Sequence, residues 1–87
     1  MFTSKINISI RKTILDPQGK AVEHSLKSLG FEEITDTRIG KYIELQINAK
    51  SKEEAEIISR DACEKLLANP VMETYTFEVV ESGDGKL

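Results

Sequence analysis

One cysteine, one histidine, two prolines and no tryptophan occur in the whole chain. These shortages remove several chemistries at once. Cys63, alone, makes neither an internal disulfide nor the Cys-x-x-Cys pair of a metal carrier. A single imidazole, His24, completes neither a metal site nor a catalytic triad, and its position beside Lys20 and Lys27 places it on a solvated helix side. No apolar run approaches the roughly 20 residues that cross a bilayer. The start, "MFTSKINISI", lacks the basic region, unbroken apolar stretch and small-residue cleavage site of a signal peptide. The expectation is a cytoplasmic chain with no membrane contact. Lysines and arginines are scattered and the net charge is −3, so the basic footprint that neutralises nucleic-acid phosphates is missing.

What is present is one small domain of ordinary composition. The 87 residues leave no room for a second core, and we read residues 1–81 as the domain and 82–87, "SGDGKL", as a flexible polar tail. A chain this short buries only about 60 to 65% of its unfolded surface, which favours assembly with copies of itself or with partners. Between Lys5 and Arg11, Ile6, Ile8 and Ile10 alternate with polar residues at the period of a half-buried strand. After Asp16, Val22, Leu26 and Leu29 share a helical face, and Gly30 supplies the stop. Glu33–Arg38 reads as a second strand, joined by a tight turn at Gly40-Lys41 to a third in which Ile43, Leu45, Ile47 and Ala49 alternate. "SKEE" at Ser51 is a capping box that opens a second helix with Ala55, Ile58, Ala62 and Leu66 on its apolar face, ended by Asn69-Pro70. Met72–Val80 is the last strand, with Tyr75, Phe77 and Val79 on one side. The predicted fold is α+β: a β-α-β-β-α-β ferredoxin-like two-layer sandwich, with a four-stranded antiparallel sheet and two helices on one face. The second and last strands are its edges. The open face carries Asn7, Ser9, Arg11, Glu44, Gln46, Thr74, Thr76 and Glu78.

The residues offer no reactive centre. "DPQGKA" invites a phosphate-loop reading, but only one glycine precedes Lys20 and no Ser or Thr follows it. Asp16 is the natural N-cap with Pro17 at the first helical position, and its carboxylate already occupies the positive helix end. Cys63 falls at the border of an apolar helix face, the place of a small buried hydrophobe. Adjacent carboxylates such as Glu32-Glu33 and Glu53-Glu54 point apart and read as surface charge. Two features stand out: Ile57 lies opposite the apolar face of its helix, and "TRIGKYIEL" gathers Arg38, Gly40, Lys41 and Tyr42, with Arg and Tyr the favoured anchors of interfaces.

Three stretches, "DPQGKAVEHSLKSLG", "RIGKYIEL" and "CEKLLANPVMETYTFEV", closely resemble the PurS family, the small subunit of phosphoribosylformylglycinamidine synthase. The likeness extends from Lys5 to about Glu81. It implies a complex with a glutaminase, PurQ, and a synthetase, PurL, which uses ATP, Mg and glutamine to convert formylglycinamide ribonucleotide into formylglycinamidine ribonucleotide. It also implies that this chain holds no catalytic, cofactor or metal-binding residue, and serves assembly and ammonia transfer. By analogy, Arg38, Gly40, Lys41 and Tyr42, with Asp16 to Lys20, are assigned to contacts with the larger subunits. Thr74, Thr76 and Glu78, on the last strand and the open face, are assigned to a homodimer or tetramer. An ACT-like regulatory domain binding a small molecule is the competing reading. An RNA-recognition domain would place aromatics on the open face of its central strands, where Asn7, Ser9, Glu44 and Gln46 stand instead.

Overall fold

In the computed structural model, residues 1–82 are described, and the rest of the predicted tail lies outside them. The elements are β1 (Phe2–Ile10), α1 (Pro17–Ser28), β2 (Gly40–Ile47), α2 (Lys52–Ala62), a π-helical segment (Cys63–Leu67) and β3 (Glu73–Glu81). β1 is central, antiparallel to β2 on one side and to β3 on the other. The sheet thus has three strands, which corrects the four-stranded ferredoxin-like expectation.

The missing strand is Glu33–Arg38, which is a turn and irregular chain. Its polar groups are spent elsewhere. The Arg38 guanidinium donates to the carbonyls of Arg11, Lys12 and Ile14 at 3.3, 2.7 and 3.2 Å, and the next amide, of Ile39, goes to Asp16. A segment held by such bonds has no ladder to offer. Nor is Gly40-Lys41 a turn. Gly40 opens β2 opposite Ser9, so close to β1 that a Cβ there would lie 2.6 Å from the carbonyl oxygen of Ile8.

Alternation places Ile6 and Ile8 wholly inside, with Ile43, Leu45, Tyr75 and Phe77 packed around them. One helix covers that face rather than two. α2 lies over β1 and β3, whereas α1 packs on no other helix or strand to a comparable extent. The molecule is correspondingly drawn out, 50 × 28 × 15 Å, with a radius of gyration of 16.5 Å against about 12 Å for a compact chain of this length.

α2 also turns a different face inward. Ala55, Ser59 and Cys63 are buried, while Ile58 and Leu66 are 40% and 83% exposed. Small residues let the helix settle close to the sheet: the hydroxyls of Ser59 and Ser4 meet at 2.7 Å, and Ser59 donates to the Ala55 carbonyl. The π-helical segment then shifts the phase, so that Leu67 joins the core in place of Leu66. Local capping follows expectation. Asp16 caps α1 with Pro17 first, Gly30 ends it at φ +100°, and Ser51 accepts the Glu54 amide at 3.2 Å. Glu54 reaches back one residue further than a standard capping box, to the Lys50 amide at 3.4 Å.

Candidate functional site

The root of α1 is the most constrained part of the surface. Asp16 is buried; one carboxylate oxygen accepts the Gly19 amide at 3.0 Å and the other the Ile39 amide at 2.8 Å. Those two donors, and then the Arg38 charge, hold its pKa below the ordinary 3.8, against the opposing pull of desolvation. Gly19 presses on the neighbouring loop so tightly that a Cβ would collide with the Thr37 carbonyl oxygen. Lys20, Lys12 and Arg38 line a cleft of about 220 Å³ beside Asp16 and Asp36. Three of the expected contact residues, Asp16, Lys20 and Arg38, are therefore neighbours.

The others are not. Lys41 points to the helix side of the sheet, where its ammonium sits 3.4 Å from Glu73 Oε2 and 3.4 Å from the Leu67 carbonyl oxygen. The Asn69 amide first, and Lys41 after it, keep the Glu73 pKa low. Tyr42 is 55% exposed and, one residue on in β2, belongs to the opposite, open face. Partial desolvation and then the Glu44 carboxylate raise its hydroxyl pKa. On that face Tyr42 and Thr76 flank Asn7, Glu44 and Glu78 flank Lys5, and Thr74 stands opposite Ser9. Thr74, Thr76 and Glu78 are all exposed. Gln46 Nε2 donates to Thr3 Oγ1 at 2.9 Å, which firms the floor of the face.

A further cleft escaped the sequence. Arg11, Cys63, Glu64, Ala68, Pro70, Glu73, Thr74 and Tyr75 surround about 510 Å³ where the π-helical segment meets the start of β3. Arg11 donates to the carbonyls of Val71 and Pro70 at 3.2 and 2.9 Å, and the Tyr75 hydroxyl donates to Glu64 Oε2 at 2.9 Å. No spacing rule announces a π-helical segment, so nothing in the sequence brought these residues together. Burial there pushes the Cys63 thiol pKa up, which disfavours the nucleophilic thiolate. Among the described residues no cluster of His, Cys, Asp and Glu could hold a metal ion, and no helix is long and apolar enough to cross a membrane.

Exposed apolar residues lie in two stretches, one about α1 and one from α2 to the start of β3, where Ile57, Leu66 and Val71 are 57%, 83% and 76% exposed. Val22 and Leu29 are 39% and 74% exposed, and Leu15 and Phe31 beside them are also uncovered.

Comparison with known proteins bears on these surfaces. The family model described as PurS, phosphoribosylformylglycinamidine (FGAM) synthase, matches residues 3–81. The phosphoribosylformylglycinamidine synthase subunit PurS of Bacillus subtilis is 47% identical over 81 residues, covering 93% of this chain and 95% of that one. A crystal structure of B. subtilis PurS superposes with a TM-score of 0.84 over 93% of this chain and 100% of its own, at 47% identity. A chain of the PurLQS structure from Thermotoga maritima matches at TM-score 0.84 and 35% identity, covering 91% of this chain and 96% of that one.

Proposed function

The chain belongs to the PurS family, and on that premise we propose that it is the small subunit of a phosphoribosylformylglycinamidine synthase, a ligase of purine biosynthesis. It works with a synthetase subunit, PurL, and a glutaminase subunit, PurQ. The observation that carries this reading is the full-length likeness to PurS, including the chain from the PurLQS structure. The subunit bridges its partners so that ammonia released from glutamine reaches the ATP-dependent amination of formylglycinamide ribonucleotide. ATP, Mg and glutamine are handled by the larger subunits, and the complex works in the cytoplasm.

The contact surfaces we assign are Tyr42 and the exposed Lys20 beside the α1 root for the larger subunits, and the free edge of β3 with Thr74, Thr76 and Glu78 on the open polar face for a second copy of the chain. Unpaired edge amides and carbonyls, with an exposed tyrosine nearby, suit association with another protein. Arg38 supports that surface from behind, through the loop carbonyls it holds.

Reconstitution tests the reading. Purified synthetase and glutaminase subunits are assayed for glutamine-dependent formylglycinamidine ribonucleotide with and without this chain. Activity that appears only on its addition, while high ammonia supports turnover without it, is the expected result. Equal glutamine-dependent activity in both cases rejects it.

A further inference from the structure

The cleft of about 510 Å³ between the π-helical segment and the start of β3 has the size of a small-molecule site. It exists because the chain is wound wide there. The Ala68 amide donates to the Cys63 carbonyl, five residues back, at 2.9 Å, and widened turns of this kind collect at functional sites. Ala68 then leaves the helix in extended conformation, and the chain returns to β3 through a tied loop. Asn69 Oδ1 accepts the Val71 and Met72 amides at 2.9 and 3.3 Å, and the Glu73 amide donates to the Asn69 carbonyl at 2.7 Å. The walls are therefore fixed before anything enters.

The base of the cleft is apolar, and its charges stand at two ends. Cys63 and Ala68 are buried beneath it, and Pro70 and the Tyr75 ring add apolar wall. Arg11 marks one end, where its amide extends the β1–β3 pairing to the Met72 carbonyl. Its Nε and Nη2 are spent on the Val71 and Pro70 carbonyls, while Nη1 has no partner among the described residues. Glu64 marks the other end: Oε2 accepts the Tyr75 hydroxyl, and Oε1 has no partner among the described residues. Met72 and Tyr75, the backbone positions of the two ends, are three residues apart, about 10 Å along a strand. The other carboxylate, Glu73, is engaged through both oxygens, by the Asn69 amide and by Lys41, and offers nothing to a ligand.

The two unspent groups select by charge. A simple anion would suit Arg11 and be repelled by Glu64, and a simple cation the reverse, whereas a molecule bearing both signs satisfies each end. An α-amino acid carries both charges on one carbon, too close together to reach both ends. We propose that the cleft binds a small linear zwitterion of the ω-amino acid or dipeptide kind, its carboxylate on Arg11 Nη1, its ammonium on Glu64 Oε1 and its body over Ala68 and Pro70. The site belongs to this chain alone, so it stands or falls separately from the part played in a synthase complex.

Calorimetric titration of the full-length chain with ε-aminocaproate tests the site. Binding in the millimolar range or tighter is expected, with caproate and hexylamine, which each keep one of the two charges, at least about 10-fold weaker. Glu64→Gln retains an acceptor for the Tyr75 hydroxyl and should leave the circular dichroism unchanged; it should weaken ε-aminocaproate by the same factor and caproate not at all. On titration of the unaltered chain, the amide resonances of residues 63, 64, 68 and 75 should shift. No binding of ε-aminocaproate at millimolar concentration overturns the proposal, as does equal binding of caproate or of hexylamine, or affinity for ε-aminocaproate indifferent to Glu64→Gln.

Discussion

The carboxylate of Asp16 accepts the amide of Ile39 at 2.8 Å, joining the first turn of α1 to a chain that returns 23 residues later. One side chain therefore both caps a helix and closes the loop that follows it.

That double use has a pH signature. The folded pKa of Asp16 lies below its ordinary 3.8, so its contribution is fully present above the unfolded value and is lost as pH falls through the folded one. Urea midpoints measured between pH 7 and pH 2 should fall below about pH 4. Asp16→Asn should be less stable than wild type at pH 7 and should narrow that difference in acid. An unchanged gap across the range would remove Asp16 from the account.

Gly19→Ala should behave opposite to its helix propensity. Alanine normally favours a helix interior by about 0.5 to 1 kcal/mol over glycine, but here the new methyl collides with the Thr37 carbonyl oxygen. The backbone has to move, and overpacking of that kind costs about 1 to 3 kcal/mol. Thermal or urea unfolding should show a loss; a gain in stability would mean that the loop yields freely.

Ser4 and Ser59 should be unequal in mutation. Ser59→Ala strips the Ser4 hydroxyl, fully buried, of its 2.7 Å partner, a loss of about 1 to 3 kcal/mol. Ser4→Ala leaves Ser59 still bonded to the Ala55 carbonyl and should cost less. The double variant should recover part of the Ser59→Ala loss, which a double-mutant cycle reads directly.

Cys63 should react slowly with a thiol reagent at pH 8 in the folded chain and at the ordinary rate in urea. Burial both shields the sulfur and raises its pKa. Equal rates in the two states would show that the π-helical segment opens readily.

Thr76→Lys should leave the fold intact, since the side chain is exposed on the open face beside Asn7, and should weaken association of the chain with its own copies. Sedimentation measures the effect. Undiminished self-association would take the open face out of that contact surface.

Period and capping were legible because they are local. The alternation of Ile6 and Ile8 marked a core strand, the Tyr75, Phe77 and Val79 face of the last strand could be read in the same way, and Asp16-Pro17 and Ser51 marked where the helices begin. The turn at Gly40, the strand at Glu33–Arg38 and the Ile58–Leu66 core face were misread. Each depended on a distant partner that no local pattern displays: the Ile8 carbonyl behind Gly40, the carbonyls gathered by Arg38, and the Ser4 hydroxyl under Ser59.

By itself, then, the sequence determined three strands, the two helices and where they begin, the family likeness and the lack of a second histidine or cysteine, since these rest on neighbours along the chain. Tertiary structure alone decided that α1 stands off the sheet. Whether an apolar helical face is covered by its own sheet depends on the direction in which its root is held, and that direction is set by bonds from Asp16 and Arg38 across 23 to 27 residues of chain.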